Sequence, residues 1–563
     1  MSERLLLPGK ADLAPLRRTW RADLLAGVTV AVVALPLALG FGVASGVGPA
    51  AGLVTAVVAG IVAAVFGGSH VQVSGPTGAM VVVLAPIVAE HGVASVGLVA
   101  AMAGVVLVVA GYLRLGRIVG VIPWPVIEGF TLGIAVIIGA QQIPRLVDVA
   151  PTVGSNAVAD AVRAVLHPGP HAAWSAAVVG AVVVIMVVGR RLAPRLPDSL
   201  LAVAVVTVVT LVTDAPVARI GALPDSLPAP QSPRPDDLAL VEALLPGALA
   251  VAALAAIESL LSAKIATTMA EVGPMDPDRE LVGQGLASLA AGAFGGMPAT
   301  GAIARTAVNV SAGGRSRLAA VTHGVVLLGV VYVASSVVSQ IPLAALSGVL
   351  LVVAGRMVDR EGAHALLRAG RGAAAVFVLT AGLTIAVDLI NAVAIGMVVA
   401  AVLTLRHVAR ASGVRRDDIP GPRHDEDEHI ALVTIDGAVF FGAAERVHDD
   451  VLTVGDARVV VLRLSQLTML DSTGARRLAD LMATLHRRGV DVVLKGVRDQ
   501  DRSLLERVGA IGPTTPVFTD LEQAIAAARR AVRLGDLPPQ FRRGTTTDDD
   551  QSATQAATHH STP

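Results

Sequence analysis

Two short stretches of this sequence hold residue types that can bind an anion without a lysine. One reads Val73-Ser74-Gly75-Pro76-Thr77-Gly78-Ala79, the other Met297-Pro298-Ala299-Thr300-Gly301-Ala302-Ile303. Each puts proline and glycine just ahead of an apolar run. That pattern describes an unwound segment feeding a half-helix. A helix start leaves up to four N–H groups without partners and carries a partial positive charge. Two such ends facing each other would hold an anion on backbone donors. Ser74, Thr77 and Thr300 add hydroxyls, while Gly75, Gly78 and Gly301, with the small Ala302, let the backbone approach a ligand closely. One segment alone would describe a proline kink with packing glycines. The recurrence of the pattern favours a site.

Glu258 is the carboxylate deepest in an apolar run, within Ala255-Ala256-Ile257-Glu258-Ser259-Leu260-Leu261-Ser262. A carboxylate at that depth is costly and is a functional candidate. Ser262 lies four positions on, on the same helical face. The pair fits a proton carrier or a cation ligand; the structural alternative is a partner for a buried arginine. Arg305 follows the second half-helix start. Three roles are open to it: neutralising the anion, pairing with Glu258, or marking the inner membrane face. Pro36 falls midway along an apolar run and is expected to break or kink that helix near the same site. With no cysteine in the chain, disulfides, thiolate catalysis and cysteine-held metal clusters are excluded. No metal site, cofactor or enzymatic nucleophile–base pair is expected.

The elements that must carry these residues follow from composition. The chain has 563 residues, 54% hydrophobic and 16% charged. Soluble domains carry about 25% charged residues. The apolar runs fill residues 23–409, which predicts a polytopic helical membrane domain. Fourteen spans are expected, near 23–44, 48–67, 75–89, 93–113, 118–140, 172–189, 198–213, 240–263, 280–295, 300–312, 318–338, 342–358, 372–389 and 391–408. Those starting at 75 and 300 are too short to cross alone. Residues 1–22 form a basic polar segment, so no cleavable signal peptide is expected ahead of the first span. With that segment inside, Arg114, Arg117, Arg190, Arg191, Arg195, Lys264, Arg279, Arg305, Arg315, Arg317, Arg356 and Arg360 fall on inner segments. Outer segments carry Arg145, Arg163, Arg219 and Arg234. This asymmetry sets both termini in the cytoplasm. The zero net charge argues against nucleic-acid binding.

An internal repeat accompanies the spans. Ile122-Pro123 with Gly129 recurs as Ile341-Pro342 with Gly348, and Thr77-Gly78-Ala79 recurs as Thr300-Gly301-Ala302. The copies, about 23–213 and 240–408, lie seven spans apart, and an odd number inverts the second copy. Inverted repeats with short, interrupted spans build midplane sites in many secondary transporters. The Pro/Asp-rich stretch 214–238 joins the halves.

Beyond a polar linker at 410–428, residues 429–530 alternate strand and helix patterns. Strands are expected at Ile430–Ile435, Ala438–Phe441, Arg458–Leu464 and Val490–Lys495, and helices at 473–488, 502–508 and 521–530. This is a small α/β domain. Asp471 or Ser472 is a natural N-cap for the first of these helices. The start of that helix, at Ser472 and Thr473, is also a position where phosphorylation would act. Residues 531–563 are expected to be a disordered tail.

Taken together these motifs resemble the SulP (sulfate permease) anion transporters, in order and over residues 1–530. The matching pieces are Asp23 to Val30 with Pro36, Val73 to Gly78, Glu258 with Ser262, and Gly295-Gly296-Met297-Pro298 through Arg305-Thr306. The C-terminal domain is similar to a STAS domain, with Asp471-Ser472-Thr473-Gly474 matching its Asp-Ser-x-Gly loop. The resemblance implies a 7+7 inverted repeat with uracil-permease-like core and gate, a homodimer, and elevator-type alternating access in the plasma (inner) membrane. It implies a small inorganic anion held between the half-helices starting near Ser74 and Thr300. Sulfate comes first; bicarbonate, chloride or a dicarboxylate stay open, as does an uncoupled exchanger, channel or membrane-bound sensor. Sodium-coupled members tend to carry aspartate where this chain has Glu258. Glutamate favours proton coupling, with sodium open through Ser262. In related STAS domains the Ser472/Thr473 position can be phosphorylated.

Overall fold

The computed structural model describes residues 9, 16–117, 123–150, 156–192, 197–231, 238–269, 274–387, 389–440, 444–452 and 457–535. Arg4, Lys10, Ile122, Arg195, Arg234, Asp388, Phe441 and the tail from 536 onward lie outside them. The chain divides into two compact units, residues 1–400 and 401–563.

In the first unit, fourteen helices match the expected spans. The first half holds α1 (Leu16–Ala44), α2 (Pro49–Phe66), α3 (Gly78–His91), α4 (Ser95–Tyr112), α5 (Trp124–Leu146), α6 (Ala157–Leu166), α7 (Ala172–Leu192) and α8 (Asp198–Val212). The second half holds α9 (Leu238–Met269), α10 (Pro277–Ala293), α11 (Ile303–Ser311), α12 (Arg317–Val338), α13 (Leu343–Met357), α14 (Arg360–Ala369), α15 (Arg371–Ala386) and α16 (Leu389–Ala411), which runs on into the second unit. Seven of these helices are long and apolar enough to cross a membrane by length and composition alone. The third member of each half is short. At 1.5 Å per residue, α3 and α11 reach about 21 and 14 Å, against a hydrocarbon core of about 30 Å. Two-residue strands precede them, β1 (Ser74–Gly75) and β2 (Thr300–Gly301).

Two helices were not expected, α6 and α14. Both are amphipathic, and both follow the fifth span of their half, so they extend the repeat. Asn156 caps α6 by accepting from Val158 and Ala159 N–H, and Asp359 caps α14 by accepting from Glu361 and Gly362 N–H. Pro36 does not break its helix: α1 continues from Leu16 to Ala44. Neighbouring helices in a packed bundle can re-satisfy the carbonyl that a proline frees.

Glycines bring the long helices together. A Cβ on Gly104 of α4 would lie 2.7 Å from the Gly285 carbonyl of α10, and one on Gly285 would lie 2.6 Å from the Gly104 carbonyl. Such close backbone approach drives association where both helix and lipid are apolar. Not all inner-face arginines are surface charges. Arg317 is 6% exposed and donates to the Ala64 and Gly67 carbonyls, and Arg279 donates to Phe66. They satisfy the C-terminal end of α2, where cations are favoured.

The second unit holds a six-stranded sheet. Its strands are β3 (Gly413–Asp417), β4 (Ile430–Val439), β5 (Val459–Arg463), β6 (Leu467–Leu470), β7 (Asp491–Lys495) and β8 (Val517–Phe518). The order is β3-β4-β5-β7-β8, with β6 also on β4. β3 pairs antiparallel and the rest parallel. Helices α17 (Ala444–Leu452), α18 (Ser472–Arg487), α19 (Asp499–Arg507) and α20 (Leu521–Leu534) complete it. Apolar clusters lie on both faces: Val433, Val460 and Leu478 belong to one, Leu432, Val461 and Ala528 to the other. The two strands expected at 430–435 and 438–441 are one strand. Its register shifts between Gly437 and Ala438, where Gly437 takes φ +86°, a bulge in place of a turn. The stretch 410–428 carries β3, which pairs along β4.

Candidate functional site

The two half-helix starts meet. β1 and β2 pair antiparallel, Ser74 opposite Gly301 and Gly75 opposite Thr300. The Ala302 N–H donates to the Val73 carbonyl at 3.0 Å. Antiparallel pairing sends α3 and α11 away from this ribbon in opposite directions. Their N-caps are Thr77 and Ala302, and neither helix start receives a side-chain capping bond. Two helix N-termini, each with a buried N-cap residue, therefore present unspent donors at one crossing.

The glycines of the ribbon are spaces filled by side chains. A Cβ on Gly75 would collide with Arg305 Nη1, one on Gly301 with Gln72 Nε2, and one on Gly78 with Ile138 Cδ1. The insertion is reciprocal: Arg305 of the second repeat sits behind the first repeat's glycine, and Gln72 of the first behind the second's. Arg305 is 2% exposed and donates through Nη2 to the Pro76 carbonyl. Its Nε and Nη1, and both amide atoms of Gln72, are buried without a partner among the described residues. Arg305 is thus a buried cation at the crossing.

Glu258 of α9 is partly exposed and accepts from Thr77 Oγ1 at 2.9 Å. It makes no hydrogen bond with Arg305, whose bonded nitrogen goes to Pro76. Ser262 turns elsewhere, 3.2 Å from Thr306 Oγ1, which also takes the Val73 N–H. Thr300 lies 2.9 Å from Ser259 Oγ, and Ser259 accepts the Gly301 N–H at 2.9 Å. One turn of α9 thus grips both half-helix starts. Thr55 of α2 fixes the approach to β2 by accepting the Met297 N–H at 2.7 Å.

Gln72, Glu280, Gln284 and His323 are not among the sequence candidates, yet all four are buried around the ribbon. Glu280 and Gln284 stand four apart at the start of α10, a spacing that puts them on one face. That was the available signal for two of them. In the second unit Asp471, not Ser472, caps α18 by accepting the Gly474 N–H at 2.7 Å, and Ser472 and Thr473 are exposed.

Comparison with known proteins agrees with this architecture. The sequence profile of the sulfate permease family matches residues 20–380, and that of the STAS domain residues 422–524. The putative sulfate transporter YvdB of Bacillus subtilis is 36% identical over 503 residues, covering 87% of this chain and 94% of that protein. The bicarbonate transporter BicA of Picosynechococcus is 30% identical over 528 residues, covering 87% and 91%. The murine Solute Carrier 26 family member A9 anion transporter, in its inward-facing state, shares the fold with a TM-score of 0.83, at 16% identity and covering 94% and 95%. Paired half-helices between two seven-span repeats, followed by an α/β STAS domain, are the build of a transporter and not of an enzyme, and the chain belongs to the sulfate permease family of multi-pass membrane anion transporters.

Proposed function

We propose that this protein is a proton-coupled symporter of inorganic anions with sulfate as its substrate. The observation that carries the reading is the pair of uncapped helix starts at one ribbon, with the unpartnered edge of Arg305 behind it and Glu258 bonded to the Thr77 cap. The helix starts, Ser74, Thr77 and Thr300, with Gly75, Gly78, Gly301 and Ala302, form the anion's shell. Arg305 supplies a fixed positive charge in a low dielectric, where it is barely screened.

Coupling follows from hydroxyl polarity. An ionised carboxylate only accepts, so it draws the Thr77 proton to itself. Once Glu258 is protonated it donates to Thr77 Oγ1, and the Thr77 hydroxyl is free to turn to the anion. Protonation also removes a negative charge beside the site. Anion and proton then favour each other's binding, as symport requires. Ser262, bonded to Thr306, is not aligned with Glu258 as a second cation ligand, which supports the proton over sodium. The carrier is read as a homodimer in the plasma membrane, termini cytoplasmic, with the half-helix pair moving as an elevator.

Bicarbonate is the second reading, favoured by the 30% identity to BicA. Labelled sulfate uptake into proteoliposomes, with and without an inward proton gradient, tests the first. Uptake indifferent to the gradient removes the coupling, and bicarbonate outcompeting sulfate at equal concentration favours the second reading.

A further inference from the structure

Behind the ribbon a chain of hydrogen bonds has one direction. Glu280 is 1% exposed, and its Oε2 accepts the Gly68 and Ser69 N–H groups at 2.8 and 3.1 Å. Its Oε1 takes Gln284 Nε2 at 2.9 Å, and the same nitrogen donates to Ser74 Oγ at 2.6 Å. Ionised, a carboxylate accepts at both oxygens, so with Oε2 on the two backbone donors its Oε1 turns the amide nitrogen, not the oxygen, of Gln284 toward itself. That nitrogen's other hydrogen goes to Ser74. Ser74 Oγ is then an acceptor in this bond, and its own proton is left to donate at the crossing. The backbone of residues 68–69 thereby dictates, through two side chains, which way a hydroxyl in the anion site points.

We propose that Glu280 and Gln284 are positioning residues that hold Ser74 as a hydrogen-bond donor and so set the specificity of the site. The proposal rests on the reading of the crossing as the anion site. Sulfate has no proton at neutral pH and accepts from every side. Bicarbonate carries its own hydroxyl, which needs an acceptor. A shell whose hydroxyl is locked as donor favours the first. Sites built around a required hydrogen-bonding polarity discriminate strongly, because a mismatched buried group is left unpaired.

Glu280→Gln keeps shape and reverses polarity. Its amide oxygen takes the two backbone donors, and its nitrogen then faces Gln284. Gln284 turns its oxygen inward, and the Ser74 proton is spent on that oxygen. In proteoliposomes, E280Q is expected to raise the sulfate KM about tenfold, the size of one hydrogen bond to a charged group, while the bicarbonate KM changes less than about twofold. S74A should raise the sulfate KM similarly, and adding E280Q to S74A should raise it no further, since both remove one interaction. If E280Q is not monodisperse in detergent, Gln284→Met serves: it frees the Ser74 hydroxyl to rotate and should shift the same ratio in the same direction. Equal KM changes for both anions, a loss confined to kcat, or E280Q and S74A effects that multiply would overturn the proposal. Wild-type uptake of neither anion would overturn the anion-site reading and the proposal with it; normal wild-type selectivity left unchanged by E280Q would overturn the proposal alone.

Discussion

Glu258→Gln separates binding from coupling at the residue scale. The amide cannot take up or release a proton, but it can donate to Thr77 Oγ1 as the protonated acid does. The variant is therefore expected to lose gradient-driven sulfate uptake while keeping sulfate counterflow between loaded vesicles. Driven uptake at the wild-type rate would make Glu258 structural. Arg305→Lys tests the fixed charge. Lysine keeps one positive charge but loses the planar fork that reaches Pro76 with one nitrogen and leaves two others at the ribbon. The sulfate KM should rise about tenfold with the chain still folded; an unchanged KM would place the anion out of reach of Arg305. These residues were legible in the sequence because each breaks a local rule: an acid, an arginine or a proline where apolar residues are expected. Gln72 and Gln284 broke none. A glutamine near a span's end is unremarkable until the fold sets Gln72 against Gly301 and Gln284 against Ser74, each in the other repeat.

At the scale of elements, helix starts and ends carry most of the information. Asp23 of α1 is 0% exposed and accepts the Arg315 N–H at 2.7 Å, the Ser316 N–H at 3.1 Å and the Ser316 hydroxyl at 2.6 Å. It thus holds the start of α12 from another helix. Asp23→Ala should cost more than the ~1 kcal/mol of an ordinary cap, because these three donors and the Thr19 hydroxyl lose their acceptor in a buried place. Faster hydrogen exchange across 316–320 than in wild type would show it, and unchanged exchange would assign that helix start to other contacts. In the second unit Arg529 of α20 grips Asp427 through Nε–Oδ1 at 2.7 Å and Nη2–Oδ2 at 2.9 Å. That hydrogen-bonded grip holds the Asp427 carboxyl below the usual carboxylate range. The lowered folded-state pKa means the pair's contribution is complete above the unfolded value of about 3.9. It is lost as pH falls through the folded value. The pair lies near the surface, so it is worth about 1 kcal/mol. Wild type should protect Leu521–Leu534 from exchange better than Arg529→Ala at pH 6, and the difference should disappear only as acidification below the unfolded value protonates Asp427 in the folded state. A pH-independent difference would show that Arg529 acts by packing. Span count and half-helices were readable from apolar runs and Pro/Gly interruptions, which are local signals. The joined strand β4 was not, because Asp436-Gly437 spells a turn in sequence and only the bulged pairing turns it into a strand. The amphipathic α6 and α14 carry no long apolar run, and only Asn156 and Asp359 mark their starts in the sequence.

For the whole molecule the arginine asymmetry predicts an orientation, and the absence of cysteine makes it measurable. With the N-terminus inside, three spans place the turn after α3 outside, and fourteen return the chain to the cytoplasm before β3. Val93 in that turn is 50% exposed and Leu534 near the end of α20 is 68% exposed. The chain has no native cysteine, so each position can carry the sole thiol. Val93→Cys is expected to react with a membrane-impermeant maleimide on intact cells, and Leu534→Cys only after permeabilisation. The same orientation predicts that a thiol placed at Arg114, after the fourth span, is shielded in intact cells like Leu534. Two intramolecular facts tie this to transport. The half-helices α3 and α11 leave one ribbon in opposite directions, and the repeats that carry them have an odd number of spans. If Val93 and Arg114 label from the same side, α4 does not cross between them. The first repeat then no longer has seven spans, the second copy is not inverted, and two opposed helix starts cannot meet at the midplane. Labelling on opposite sides, with Leu534 joining Arg114, is the result that an inverted-repeat anion carrier requires.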